Sequence, residues 1–126
     1  MRMTEVVAAV LEREGRILIC QRTATQPHPF KWEFPGGKVE PGESAPQALR
    51  RELEEELGIQ ADIGDEITRY DYAYPGKKPI RLIFLKVNGF SGELRNRIFE
   101  RMEWECPTAL AAYDFLEGDI QFIRAL

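Results

Sequence analysis

Cysteine and histidine are scarce in this chain, and positive charge is outnumbered by negative. Its 126 residues hold two cysteines, Cys20 and Cys106, and one histidine, His28. The cysteines lie far apart and form no CxxC pair, which argues against a zinc site and makes a reducing, cytoplasmic compartment the expectation. Seventeen lysines and arginines face 21 aspartates and glutamates, for a formal net charge of −4. That balance argues against a nucleic-acid scaffold, which presents a basic face. It leaves room for a phosphorylated small molecule, since metal ions bridge like charges. No apolar run approaches the roughly 20 residues that span a bilayer, so no membrane association is expected. The opening MRMTEVVAAV has too short an apolar stretch, too soon followed by charged EREG, to read as a signal peptide. Repeats, low-complexity tracts and linkers are missing too, and residues 1–126 are expected to form one domain.

What is present is an ordinary globular composition, 44% hydrophobic and 30% charged. Residues 4–12 and 16–22 read as strands joined by a turn at EREG (12–15), a hairpin. A polar, Pro-containing loop (23–31) precedes the aromatic WEFPGG (32–37). Scattered β formers follow at 60–74, a turn at PGKKP (75–79), the strongest strand at IRLIFLKV (80–87) and a further turn at NGFSGE (88–93). A strand is expected over 98–105, a short helix from Pro107 to Ala112 and a terminal helix from Asp119 to Leu126. Trp32 and Trp104 are expected in the core, and His28 in a loop. The order of elements argues α+β, or a mixed sheet clasped between helices.

The most informative stretch is GKVEPGESAPQALRRELEEELGI (37–59). Ser44 is a good helix N-cap, Ala45–Leu57 are helix formers, and Gly58 suits the left-handed stop. At about 100° per residue, Ala45, Leu49, Leu53 and Leu57 form an apolar stripe. Glu52, Glu55 and Glu56 project together from its edge, and Glu43 folds back towards them. Like charges at these spacings repel by a few tenths of a kcal/mol per pair, and glutamates in the last turns oppose the helix dipole. A solvated acidic face would oppose the apolar stripe instead of adjoining it. Divalent cations resolve the conflict, and oxygen ligands suit Mg²⁺ or Mn²⁺.

This segment resembles the signature of the Nudix hydrolases, G-x5-E-x7-R-E-U-x-E-E-x-G-U with U aliphatic. Gly37, Glu43, Arg51, Glu52, Leu53, Glu55, Glu56, Gly58 and Ile59 fill its fixed positions. The resemblance implies an α/β/α sandwich around a mixed sheet. It also implies hydrolysis of a diphosphate linked to another moiety, with Glu52, Glu55, Glu56 and the Gly36 carbonyl as metal ligands. Arg51 would orient the carboxylates, paired first with Glu43, and Glu52, or a ligand beside it such as Glu56, would take the proton of the attacking water.

Outside the signature, QR (21–22), WEFPGGK (32–38), YAYPG (72–76), GE followed by EW (92–93, 103–104) and FLEGDIQFIRAL (115–126) are similar to the MutT-like branch. That branch cleaves nucleoside triphosphates to a monophosphate and pyrophosphate, and some members remove oxidised nucleotides such as 8-oxo-dGTP. The resemblance implies a small nucleotide substrate and a monomer or homodimer. Two positions depart from it. Where the branch has a late-loop glutamate, the register here gives Ile98, and Glu100, two residues on along the expected strand, is nominated as the further ligand. Where the prototype reads an oxidised guanine with an asparagine, this chain has Asp119. An ionised Asp119 only accepts hydrogen bonds and favours an amino-bearing base such as cytosine, whereas a protonated one suits a purine. Phe34 and Tyr74 are candidates to stack on a base, Arg22 to meet phosphate or base, and Lys38 to meet phosphate. The alternatives to 8-oxo-dGTP are (d)CTP, another nucleoside diphosphate derivative, or a non-catalytic nucleotide-sensing module.

Overall fold

The computed structural model describes residues 3–126. Its scaffold is a mixed sheet whose strands carry apolar residues on both faces. β1 (Thr4–Arg13) and β2 (Arg16–Gln21) form the expected hairpin. The turn between them, Glu14–Gly15, has positive φ at both residues (52° and 78°), matching the right-handed twist of the strands it joins. Two short strands follow, β3 (Trp32–Glu33) and β4 (Gly36–Lys38), then the helix α1 (Ala45–Leu57). β5 (Gln60–Tyr72) and β6 (Ile80–Ser91) are long antiparallel partners interrupted by bulges. β7 (Arg101–Glu105), a 3-10 turn (Pro107–Ala112) and α2 (Glu117–Arg124) complete the chain. The strand order is β3-β2-β1-β6-β5, with β4 also on β1 and β7 also on β2; β1 and β6 run parallel.

Alternation along β1 explains why both faces are covered. Val7, Ala9 and Leu11 point to one side, where Leu49, Leu53 and Leu57 of α1 close the core; Ala8 and Val10 point to the other, against Phe34, Phe84, Phe115 and Phe122. A sheet buried on both faces reads as unbroken apolar runs, as in VVAAVL and LIFL. α1 keeps its expected bounds: Ser44 accepts from the Gln47 backbone N–H, Gln47 caps in return, and Gly58 ends the helix at φ 70°. Its buried residues include Ala48 as well as the leucines, while Ala45 is only partly covered.

Three expectations need correction. No turn occupies 88–91: β6 runs through Ser91 because Phe90 and Gly89 pair with Ala61 and Asp62. The last strand begins at Arg101, not 98, because the Asn96 side chain binds both the N–H and the C=O of Phe99 (2.7 and 2.8 Å), curling the chain there. The terminal helix starts at Glu117 and ends at Arg124, two residues earlier than expected at each end. Trp32 is buried as expected, but Trp104 is only partly so, with the Arg13 guanidinium over its ring.

Candidate active site

The N-terminal strands, the β3–β4 segment and α1 meet at a cavity of about 430 Å³. β4 forms its floor and lies tightly on β1: a Cβ at Gly36 would sit 1.9 Å from the Val7 carbonyl oxygen, so only glycine permits this approach. A Cβ at Gly37 would fall 2.5 Å from the Glu52 carboxyl carbon. Gly36 thus lets β4 lie on β1, and Gly37 leaves room for the Glu52 carboxylate.

Glu52 and Glu56, one turn apart on α1, both line the cavity. The Gly36 N–H donates to Glu56 Oε1 at 3.2 Å. Burial, then the nearby Glu52 and Glu33, push the Glu56 carboxyl up to about 9. Burial raises Glu52 also, opposed by Arg51. Arg51 forks onto Glu43 through Nε and Nη2 (2.8 and 2.9 Å) and donates to Glu52 Oε1 (2.9 Å) and the Lys38 carbonyl (3.1 Å). Those bonds to Arg51, with the Glu40 N–H, hold the Glu43 carboxyl at about 2. The Arg51–Glu43 pairing expected from the sequence is therefore present.

Glu55 is placed differently from expectation. It turns outwards, 59% exposed, with Arg51 Nη1 3.5 Å away, and does not line the cavity. Among the described residues no three acidic, histidine or cysteine side chains are already gathered as a ligand shell. The donor set nevertheless fits a hard divalent cation. Two carboxyls share one cavity, Glu56 pushed up first by burial and then by its neighbours, and a cation in the proton's place would offset both.

At the other end the cavity is walled by Phe34, Arg22, Glu33 and Asp119. Phe34 is both core and wall, 3% exposed and edge-on to Phe84 and Phe122. Asp119 is 6% exposed; burial, then Glu33, push it up to about 8, against Arg22 and the Phe34 N–H. Arg22 is committed to the protein: Nε donates to the Pro27 carbonyl (2.6 Å) and Nη1 to Glu33 (3.0 Å). Tyr74 lies at the rim against His28, ring centroids 5.0 Å apart, and its hydroxyl accepts from the Gly118 N–H. Lys38 is exposed beside the floor.

Glu100 does not reach the site. It is exposed ahead of β7, its N–H bound to the Gln21 carbonyl, and the cavity instead meets Ile98. Residues 98–100 are not strand, so Glu100 does not share a face with Ile98 as expected. Glu33 is the residue missed by sequence reasoning. A carboxylate between two aromatics, Trp-Glu-Phe, was its only signal, and burial pushes it up while Arg22 opposes.

Comparison with known proteins agrees with this geometry. The NUDIX domain model matches residues 1–126. A CTP pyrophosphohydrolase of Escherichia coli K12 is 42% identical over 125 residues, covering 99% of this chain and 92% of the relative. An 8-oxo-dGTP diphosphatase of Haemophilus influenzae is 37% identical over 126 residues, with the same coverage, 99% and 92%. A MutT structure from work on Aliivibrio salmonicida and Vibrio cholerae superposes with a TM-score of 0.82 at 31% identity, covering 98% of this chain and 96% of that one. No described helix is long and apolar enough to cross a membrane. Signature, sheet topology and relatives converge: the chain belongs to the Nudix hydrolase family, in its MutT-like branch.

Proposed function

We propose that the chain is a Mg²⁺-dependent nucleoside triphosphate pyrophosphohydrolase that prefers cytidine nucleotides. Asp119 is the polar group offered to the base edge. Buried and without a cation of its own, it is mostly a neutral acid at pH 7, with one O–H donor and one carbonyl acceptor. Cytosine offers the complement, the N3 acceptor beside the N4 amino donor. A protonated Asp119 also suits a purine, so the neutral form admits cytosine without selecting it. The 42% identity to a CTP pyrophosphohydrolase supports the cytidine preference.

The chemistry follows from the opposite end. Glu52, Glu56, Glu55 and the Gly36 carbonyl would hold divalent ions, which neutralise the phosphates and acidify water. Glu52, steered by Arg51, accepts the proton of the attacking water. Phe34 packs on the base, Lys38 faces the phosphates, and Arg22 fixes Glu33 at the base edge. The bridging P–O bond breaks, giving the nucleoside monophosphate and pyrophosphate.

The test is kcat/KM for CTP, dCTP, UTP, dGTP and 8-oxo-dGTP with Mg²⁺. Cytidine substrates should lead. In Asp119→Asn, whose amide keeps a donor and an acceptor, the cytidine preference should persist. Leading turnover of 8-oxo-dGTP would favour the second reading, which the 37% identical relative supports. No turnover of any triphosphate would reject both.

A further inference from the structure

The last turn of α1 is held from outside the helix. A helix leaves its final carbonyls without partners of their own, and α1 ends in glutamates with no basic residue in the last turn. The 94–100 segment supplies what is missing. The Arg95 N–H donates to the Leu57 carbonyl (2.9 Å) and the Arg97 N–H to the Glu56 carbonyl (3.1 Å). The Arg97 guanidinium donates through Nη1 to the Glu54 carbonyl (3.1 Å). Gly58 permits this approach, since a Cβ there would fall 3.0 Å from Arg97 Nη2. A cation at this end also offsets the helix dipole, which Glu54, Glu55 and Glu56 aggravate.

The segment is itself anchored. Asn96 binds the Phe99 backbone, Phe99 is buried in the core, and the Glu100 N–H donates to the Gln21 carbonyl (2.9 Å) at the end of β2. Between these anchors Ile98 meets the cavity. On the outer side Arg97 lines a hollow of about 460 Å³ together with Glu55 and Arg51. The turn that carries Glu55 and Glu56 is thus tied to β2, whose end leads to Arg22 on the far wall of the cavity.

We propose that Arg97 is a positioning residue for the divalent-ion site: by capping α1 it fixes the turn from which Glu55 and Glu56 would reach the ion. This rests on the pyrophosphohydrolase reading, in which those two glutamates are ligands. Arg97 acts through the main chain of Glu54 and Glu56. The sign of the effect separates this role from plain electrostatics. A positive charge beside a cation site repels the cation, so if charge alone mattered, removing Arg97 would tighten metal binding. If Arg97 holds the ligands in place, removing it weakens binding, because a frayed turn must be ordered when the ion arrives.

The experiment titrates Mn²⁺ alone, by calorimetry without nucleotide, into wild type, Arg97→Met and Arg97→Lys. Methionine keeps an unbranched stem and loses the charge and the donors, whereas lysine keeps the charge and a donor for the Glu54 carbonyl. Arg97→Met should weaken Mn²⁺ about tenfold and raise in step the Mg²⁺ needed for half-maximal CTP turnover; Arg97→Lys should stay within about threefold of wild type. Arg97 is exposed, so the thermal midpoint of either variant in EDTA should fall by no more than about 4 °C. Binding of Mn²⁺ by Arg97→Met as tight as wild type's, or tighter, would overturn the role and leave the parent reading standing. A loss in Arg97→Lys as large as in Arg97→Met would overturn it too, as would a midpoint lowered by about 10 °C, which would assign Arg97 to the fold at large. A wild type that binds no Mn²⁺ would remove the metal assignment and this role together.

Discussion

Glu56 offers the sharpest test because its burial and its proposed use pull in opposite directions. Consider Glu56→Gln in protein stripped of divalent ions with EDTA. The folded carboxyl sits at about 9 against an ordinary value of 4.5. Below 4.5 both the folded and the unfolded chain carry the proton, and the group's stabilising contribution is fully present. As pH rises, the unfolded chain releases the proton first and stability falls by about 1.4 kcal/mol per pH unit, until the folded group also ionises near 9. Carried through to pH 8 this sets an upper bound of about 5 kcal/mol. The proton is shared with Glu52 and the site relaxes, so about 2 kcal/mol is the expected penalty. Glutamine never ionises and keeps an oxygen for the Gly36 N–H. The variant should therefore be more stable than wild type by about 2 kcal/mol at pH 8, with the gain vanishing near pH 4.5. It should also lose most of the thermal shift that Mg²⁺ gives the wild type, and at least about 100-fold in kcat. Urea unfolding across pH, with and without Mg²⁺, reads all three. A Glu56→Gln protein less stable than wild type at pH 8 in EDTA would refute the argument that crowded carboxyls await a cation.

Two further outcomes follow from the same geometry. Arg51→Lys keeps the charge but cannot fork onto Glu43 while holding Glu52 and the Lys38 carbonyl. Because Arg51 is 25% exposed, stability should fall by only about 1 kcal/mol in urea unfolding, whereas kcat should drop about 100-fold with KM little changed. Gly36→Ala drives a methyl into the Val7 carbonyl; β4 must lift off β1, costing about 3 kcal/mol and lowering the thermal midpoint by several degrees.

The legibility of these elements in the sequence divides along a physical line. α1 was readable to the residue because its determinants are local: Ser44 caps it, leucines recur at one face, and Gly58 takes the left-handed stop. β1 and the centre of β6 were readable because strands covered on both faces leave unbroken apolar runs. β3, β4 and the end of β6 were not, since Gly36–Lys38 and Asn88–Ser91 are strands only by virtue of partners distant in sequence. Glu100 was misplaced for a related reason. A side chain, Asn96, binds the Phe99 backbone and breaks the alternation on which the face argument rested.

The site itself shows the same division. Its phosphate-facing end lies within one continuous segment, from Gly36 to Glu56, so a linear pattern could capture it. The end proposed to face the base joins Arg22 and Glu33 to Asp119 across the whole chain, and no spacing links them. Asp119 is also chemically ambiguous as a letter, because it accepts when ionised and both donates and accepts when neutral. Only its burial beside Glu33 and the Phe34 N–H decides between these. On the proposed reading the reaction is written in a motif, whereas the choice of base falls to the packing of two carboxyls against an aromatic wall. Relatives that share the first can differ in the second through a single change of environment.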